Sequence, residues 1–205
     1  MNAVFGQRDR FFETWMSGAA SIKESGFTFT LEQGWRVREF YLSRQNYTDL
    51  SVEKKLTDWL NVAAGYRLSF KSSYVNFEEV ANRFYFDLAT SFKWEDFTFS
   101  YRPRFQHSTS SDESDYGLYS QTYLRAKAKV SYKLNKHFSF DAGHEFFWYL
   151  VPQNSFINEN RYSLMAEYKF NKKMSLSAGY LLRYYVQVED PININVLAID
   201  FSYRY

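Results

Sequence analysis

Tyr132-Lys133-Leu134-Asn135-Lys136-His137-Phe138-Ser139-Phe140-Asp141-Ala142-Gly143 returns further along the chain as Tyr168-Lys169-Phe170-Asn171-Lys172-Lys173-Met174-Ser175-Leu176-Ser177-Ala178-Gly179. A looser copy runs from Glu53 to Gly65, and fainter ones centre on Phe92–Phe97 and Ile22–Phe27. Each copy closes one alternating stretch, crosses a short polar turn and opens another. A period of roughly 32–40 residues holds two long strands, a turn and a loop. Five such hairpins and a last alternating strand up to Tyr205 predict an antiparallel barrel.

Between the turns the apolar residues occupy every second position. Phe27, Phe29, Leu31, Trp35 and Val37 share one face, and Thr28, Thr30, Glu32, Gly34, Arg36 and Arg38 share the other. Phe84, Phe86, Leu88, Phe92 and Trp94 stand against Arg83, Asp87, Ser91 and Lys93 in the same way. This is period two, the signature of a strand whose faces meet different surroundings. Aromatic residues make up 21% of the chain, yet its mean hydropathy is negative, so the apolar residues are spread out. No apolar run approaches the ~18 residues of a membrane-spanning helix.

Short turns are predicted near Glu24–Gly26, Leu56–Asp58, Glu95–Asp96, Asn135–Lys136 and Asn171–Lys173. Longer loops are predicted near Leu42–Asn46, Ser72–Ala81, Ser108–Gly117, Pro152–Glu159 and Glu189–Pro191. Short turns at one end and long loops at the other form the layout of an outer-membrane barrel. Pro103 interrupts the sixth strand, so a bulge or weak pairing is expected there. Eleven strands can be counted. Bacterial single-chain barrels are usually even, so about twelve are expected, with ten as the alternative.

The apolar face carries too many aromatics to fit inside a barrel of this size. The other face, rich in Arg, Lys, Glu, Asp, Ser and Gly, can fill a lumen with ion pairs. The expected architecture is an up-and-down transmembrane β-barrel over residues 11–205, with lipid outside and charge inside. A soluble sandwich or an edge-paired assembly is the alternative. Residues 1–10 are read as a signal-peptide remnant or a flexible segment, because Val4-Phe5-Gly6 before Gln7 has the small residues of a secretory cut site.

The chain has no cysteine and a net charge of +2 with no basic cluster. Disulfides are excluded, and there is no nucleic-acid footprint. Neither a cofactor motif nor a metal-ligand spacing is present.

The repeated Tyr-Lys-[Leu/Phe]-Asn-Lys turn, the Ala-Gly after it and the final Phe201-Ser202-Tyr203-Arg204-Tyr205 resemble bacterial outer-membrane barrels. More narrowly, the chain resembles an uncharacterised domain-of-unknown-function family of small outer-membrane barrels, from about Arg10 onward. That resemblance implies a Gram-negative outer-membrane location, with membrane lipid and the barrel-insertion machinery as partners. Phe201, Tyr203 and Tyr205 resemble the C-terminal signal read by that machinery, although such signals commonly end in Phe. The family supplies no activity.

On the inner face a small residue precedes an outward aromatic in Gly34-Trp35, Gly65-Tyr66, Ser100-Tyr101, Gly143-His144 and Gly179-Tyr180. Arginines from neighbouring strands are expected to fill the space these leave, as a packed belt or around a ligand pocket. The candidate lumen network is Arg36, Arg38, Arg67, Arg83, Arg102, Arg104, Arg125, Glu145, Glu167 and Arg183. Buried charges demand partners, so the network either plugs the lumen or borders a narrow water path biased toward anions. Catalysis would need a nucleophile and a base near the outer rim. His107 with Ser108, Thr109 and Ser110 is the one arrangement that fits, and a His beside a Ser-rich loop is common by chance, which is the preferred reading. Asp112, Glu113 and Asp115 form an acidic loop better read as solvated than as a cation site.

The expected role is structural or accessory, as a scaffold or subunit that docks other envelope proteins, and not enzymatic. The alternative is a narrow, porin-like anion-biased channel or small-ligand carrier. A lipid-modifying enzyme is the second alternative.

Overall fold

In a computed structural model of the chain, the repeated asparagines build the turns. Asn135 Oδ1 accepts from the backbone N–H of His137 at 2.8 Å and of Phe138 at 2.9 Å. Asn171, in the second copy, accepts from Lys173 at 2.8 Å and Met174 at 2.9 Å. Thr57 does the same for Leu60 at 3.0 Å. Each side chain satisfies donors that the turn would otherwise leave open. Beside Thr57, Lys55 donates to Asp58 at 2.6 Å, which holds the Asp58 carboxyl below its usual range. Two turns are tighter. Ser25 and Gly26 both have positive φ (50° and 82°), as a two-residue hairpin turn with the favoured twist requires.

The structure describes residues 10–38, 43–73, 78–112, 118–150, 155–186 and 192–205. Their strands are β1 (Arg10–Glu24), β2 (Phe27–Arg38), β3 (Ser43–Lys55), β4 (Leu60–Ser73), β5 (Glu78–Trp94) and β6 (Phe97–Asp112). There follow β7 (Leu118–Lys133), β8 (Phe138–Tyr149), β9 (Phe156–Lys169), β10 (Met174–Tyr185) and β11 (Asn193–Arg204). They form one closed barrel in chain order, and every consecutive pair is antiparallel.

The strand count is eleven, not twelve or ten. In an odd up-and-down barrel the first and last strands point the same way, so the seam must be parallel. β1 and β11 do pair in parallel, from Arg10 opposite Asn193 to Ser21 opposite Arg204.

The strands also reach further than the loops read from sequence. β6 continues through Ser108–Asp112, β3 begins at Ser43, β5 at Glu78 and β9 at Phe156. Serine and threonine runs look like loop in a single sequence, but here both neighbouring strands pair with them, as Ser110 does with Ala81 and Tyr119. Residues 187–191 and the proposed cut before Gln7 lie outside the described residues, as do Glu113 and Asp115. At Pro103 the β5–β6 ladder breaks between the Asp87–Arg104 and Thr90–Tyr101 pairs and resumes in the same register, so pairing weakens there without a bulge. A bulge occurs instead at Phe147/Trp148, where β9 carries the extra residue Asn158.

The faces divide as the alternation predicts. Phe84, Leu164 and Phe92 are 60%, 64% and 67% exposed on the outside. Inside, Glu13, Asp49, Asp87, Arg104, Arg125, Glu145 and Glu159 are all buried. Exposed aromatics and buried charges invert the arrangement of a water-soluble domain.

Candidate functional site

The lumen is built from cross-strand steps in which a side chain on one strand fills what its neighbour lacks. Gly34 on β2 lies directly opposite Tyr47 on β3, and the tyrosine ring occupies the place where a Cβ on Gly34 would stand. Gly65 on β4 and Tyr85 on β5 repeat the arrangement. Tyrosine, not the expected arginine, therefore fills the space at these two glycines. The ring packs flush because glycine offers no side chain, and its hydroxyl is carried to a carboxylate. Tyr47 donates to Glu32 at 2.6 Å and Tyr85 to Asp49 at 2.6 Å.

Three ionic groups follow. In the first, Asp49 accepts from Arg67 Nε at 2.7 Å. In the second, Asp87 holds Arg104 through two bonds of 2.6 and 2.7 Å. Glu145 holds Arg125 at 2.9 Å, and Arg102 lies between both carboxylates at 3.7 and 3.9 Å. In the third, Glu13 pairs with Arg38 at 2.9 Å and with Arg183 at 3.2 Å. Glu159 joins Arg183 at 2.6 Å and Arg161 at 2.7 Å. This last group passes over β11, which contributes only the buried Ile194 and Val196 beneath it.

Nine of the ten expected network residues line one cavity of about 1130 Å³. Glu167 does not. It sits toward the short-turn end, bound to Ser139 at 3.0 Å and Lys169 at 3.3 Å. The cavity is lined by thirteen arginines and lysines against eight aspartates and glutamates. Among the described residues Arg36 and Arg83 bond to no carboxylate: Arg36 reaches Gln45 at 3.4 Å, and Arg83 reaches Ser108 at 3.1 Å. The Nε atoms of Arg36 and Arg125 are buried without any partner.

Sequence reasoning missed Glu13, Asp49 and Glu159, the carboxylates that organise these groups. It also missed the inward aromatics Trp15, Tyr47, Tyr85 and Phe147. Tyr85 was detectable by parity, since it lies between outward Phe84 and Phe86. Glu159 was hidden by its assignment to a loop.

His107 does not meet its sequence neighbours. It projects from the outer face, with Nδ1 2.9 Å from Thr122 Oγ1 and Nε2 3.2 Å from Ser120 Oγ. Ser108 turns inward to Arg83. Among the described residues no group of three or more His, Asp or Glu side chains converges as a metal site. At the C-terminus Phe201 and Tyr205 are exposed on the wall, and the backbone of Tyr205 bonds to Ser21 at 2.8 Å.

No curated protein matches the chain. Among solved structures, it is similar to the translocator domain of the autotransporter NalP from Neisseria meningitidis. The identity is 12% over 89% of this chain and 77% of that one, with a TM-score of 0.49. A family described as protein of unknown function (DUF2490) matches residues 12–192. That match takes in ten of the eleven strands almost whole, and the chain belongs to this family.

Proposed function

We propose that this chain is a β-barrel of the bacterial outer membrane whose lumen admits or holds small anions. The membrane reading rests on the outer surface. Strands of 12–17 residues exceed the roughly 9–11 that cross a bilayer when tilted. Aromatic pairs gather at the short-turn end, with Phe97 and Tyr132 at 5.0 Å and Phe138 and Tyr168 at 4.8 Å. Outward polar groups satisfy one another. Tyr66 donates to Asn82 and Tyr180 to Asn195, both at 2.5 Å, and His144 meets Asn160 at 3.1 Å. Self-contained pairs are what a surface without water demands.

The observation that carries the anion reading is the cation surplus around a cavity that stays open despite the ion pairs. A positive lumen raises local anion concentration and selects against cations. The test is the reversal potential of the refolded barrel in a planar bilayer under a salt gradient. Anion preference supports the reading, and absence of conductance removes the passage. A structural or accessory role is the second reading, favoured by the ion pairs that tie neighbouring strands across the lumen. A silent barrel that co-purifies with a stoichiometric envelope protein in mild detergent would support it.

A further inference from the structure

We propose that the lumen contains a built site for the phosphate group of a small, polar phosphate ester, within the arginine cluster to which Arg36 and Arg83 both belong. The inference rests on reading the lumen as anion-facing and adds the ligand class.

Guanidinium groups converge here on aromatic platforms. Trp15 has Arg36 at 4.0 Å, Arg183 at 5.3 Å and Arg161 at 5.4 Å from its ring centre. Tyr47 has Arg67 at 3.9 Å and Arg36 at 5.2 Å. Stacking fixes each plane and leaves its N–H edge free to face a ligand. Four strands away from Trp15, Arg83 stands directly opposite Arg67 on the neighbouring strand. Like charges placed directly opposite repel, and only one of the two has ionic partners. Arg67 meets Asp49 at 2.7 Å and Glu32 at 3.9 Å, whereas among the described residues no carboxylate bonds to Arg83.

Such an arrangement has a cost for a fold that needs only stability, because among the described residues Arg36 and Arg83 are half-buried without an ionic partner and the Nε of Arg36 is buried with no hydrogen bond. It becomes economical when a ligand completes it. Two guanidiniums without a bonded carboxylate, one of them Arg36 with its own Nε buried and partnerless, call for an oxyanion with several acceptor atoms, which a phosphate monoester supplies. Chloride cannot fill the fork geometry, and a carboxylate brings one charge. The cavity exceeds what bare phosphate needs and lies near the usual range for small-molecule pockets. Its polar walls suit a hydroxyl-rich body.

The experiment follows the thermal midpoint of the barrel's gel-mobility shift, using the full chain in detergent. Glucose 6-phosphate should raise the midpoint, while glucose and chloride at matched ionic strength should not. Arg36→Gln and Arg83→Gln should each weaken the effect roughly tenfold in ligand concentration, the loss of one charge-assisted bond. Neither substitution strands a carboxylate, so both variants should fold. Arg36→Lys, which keeps the charge and loses the fork, should recover only part of the effect.

No shift with the ester, or a shift retained in both Gln variants, overturns the site. An equal shift with inorganic phosphate keeps the site and overturns the ester. A barrel that prefers anions but ignores phosphate loses the site alone. One that binds the ester without conducting loses only the passage.

Discussion

The ring of Tyr47 covers the Cα of Gly34, its direct partner across β2 and β3, and passes its hydroxyl to Glu32 on the same neighbouring strand. A Cβ at Gly34 would occupy the volume of that ring. Gly34→Ala should therefore destabilise the barrel by about 1–3 kcal/mol through overpacking. Tyr47→Phe should cost roughly 1 kcal/mol for the lost bond to Glu32. Urea unfolding followed by tryptophan fluorescence measures both. If Gly34→Ala is as stable as the parent, the ring is not held there.

Glu13 is the hinge of the ionic group that crosses the seam, with Arg38, Arg183 and Trp15 all donating to it. Glu13→Gln should cost about 1–3 kcal/mol, because Arg183 keeps Glu159 and the partly exposed Arg38 loses its carboxylate. Replacing Glu13 and Arg183 together by apolar residues should recover part of that loss. The midpoint of heat-modifiable gel mobility reads the order of the three proteins.

The parallel seam can be trapped covalently, because the chain has no cysteine of its own. Ala19 and Ser202 are direct partners in β1 and β11. Ala19→Cys with Ser202→Cys should form a disulfide on mild oxidation of the folded barrel, since paired strands fall within the separation a disulfide bridges. Ala19→Cys with Phe201→Cys, which places the two side chains on opposite faces, should not. Equal crosslinking of both pairs would refute the register.

Asn135 and Asn171 each close a turn through two backbone donors. Replacing either with Ala should cost roughly 0.5–1.5 kcal/mol and slow refolding, with the double variant close to additive because the turns share no partner. Stopped-flow refolding into detergent measures the rate.

His107 touches Thr122 and Ser120 on the outer face, and among the described residues no carboxylate bonds to it. His107→Ala should leave the phospholipid and lysophospholipid content of the envelope unchanged. A changed acyl profile in lipid mass spectrometry would reopen the enzymatic reading.

The barrel itself was legible because the two faces differ in most strands, so that parity alone assigned Arg36, Arg67, Arg104 and Arg125 to the interior. Which arginines find partners was not legible. Pairing depends on register, and register needs the neighbouring strand: Asp49 meets Arg67 and Asp87 meets Arg104 only once β3–β4 and β5–β6 are aligned. The tyrosines over Gly34 and Gly65 were missed for the same reason. Parity of strand number failed differently. An even count is a habit of bacterial barrels and not a geometric necessity, and a parallel seam running from Arg10 opposite Asn193 to Ser21 opposite Arg204 closes this one.

β1 and β10 run in opposite directions on either side of β11, and Glu13 already bonds to Arg183 across the gap. These two strands have the polarity to pair with each other directly. β11 keeps them apart as a wedge, so the girth of the wall, and with it the space left to the lumen, is set by residues 193–204.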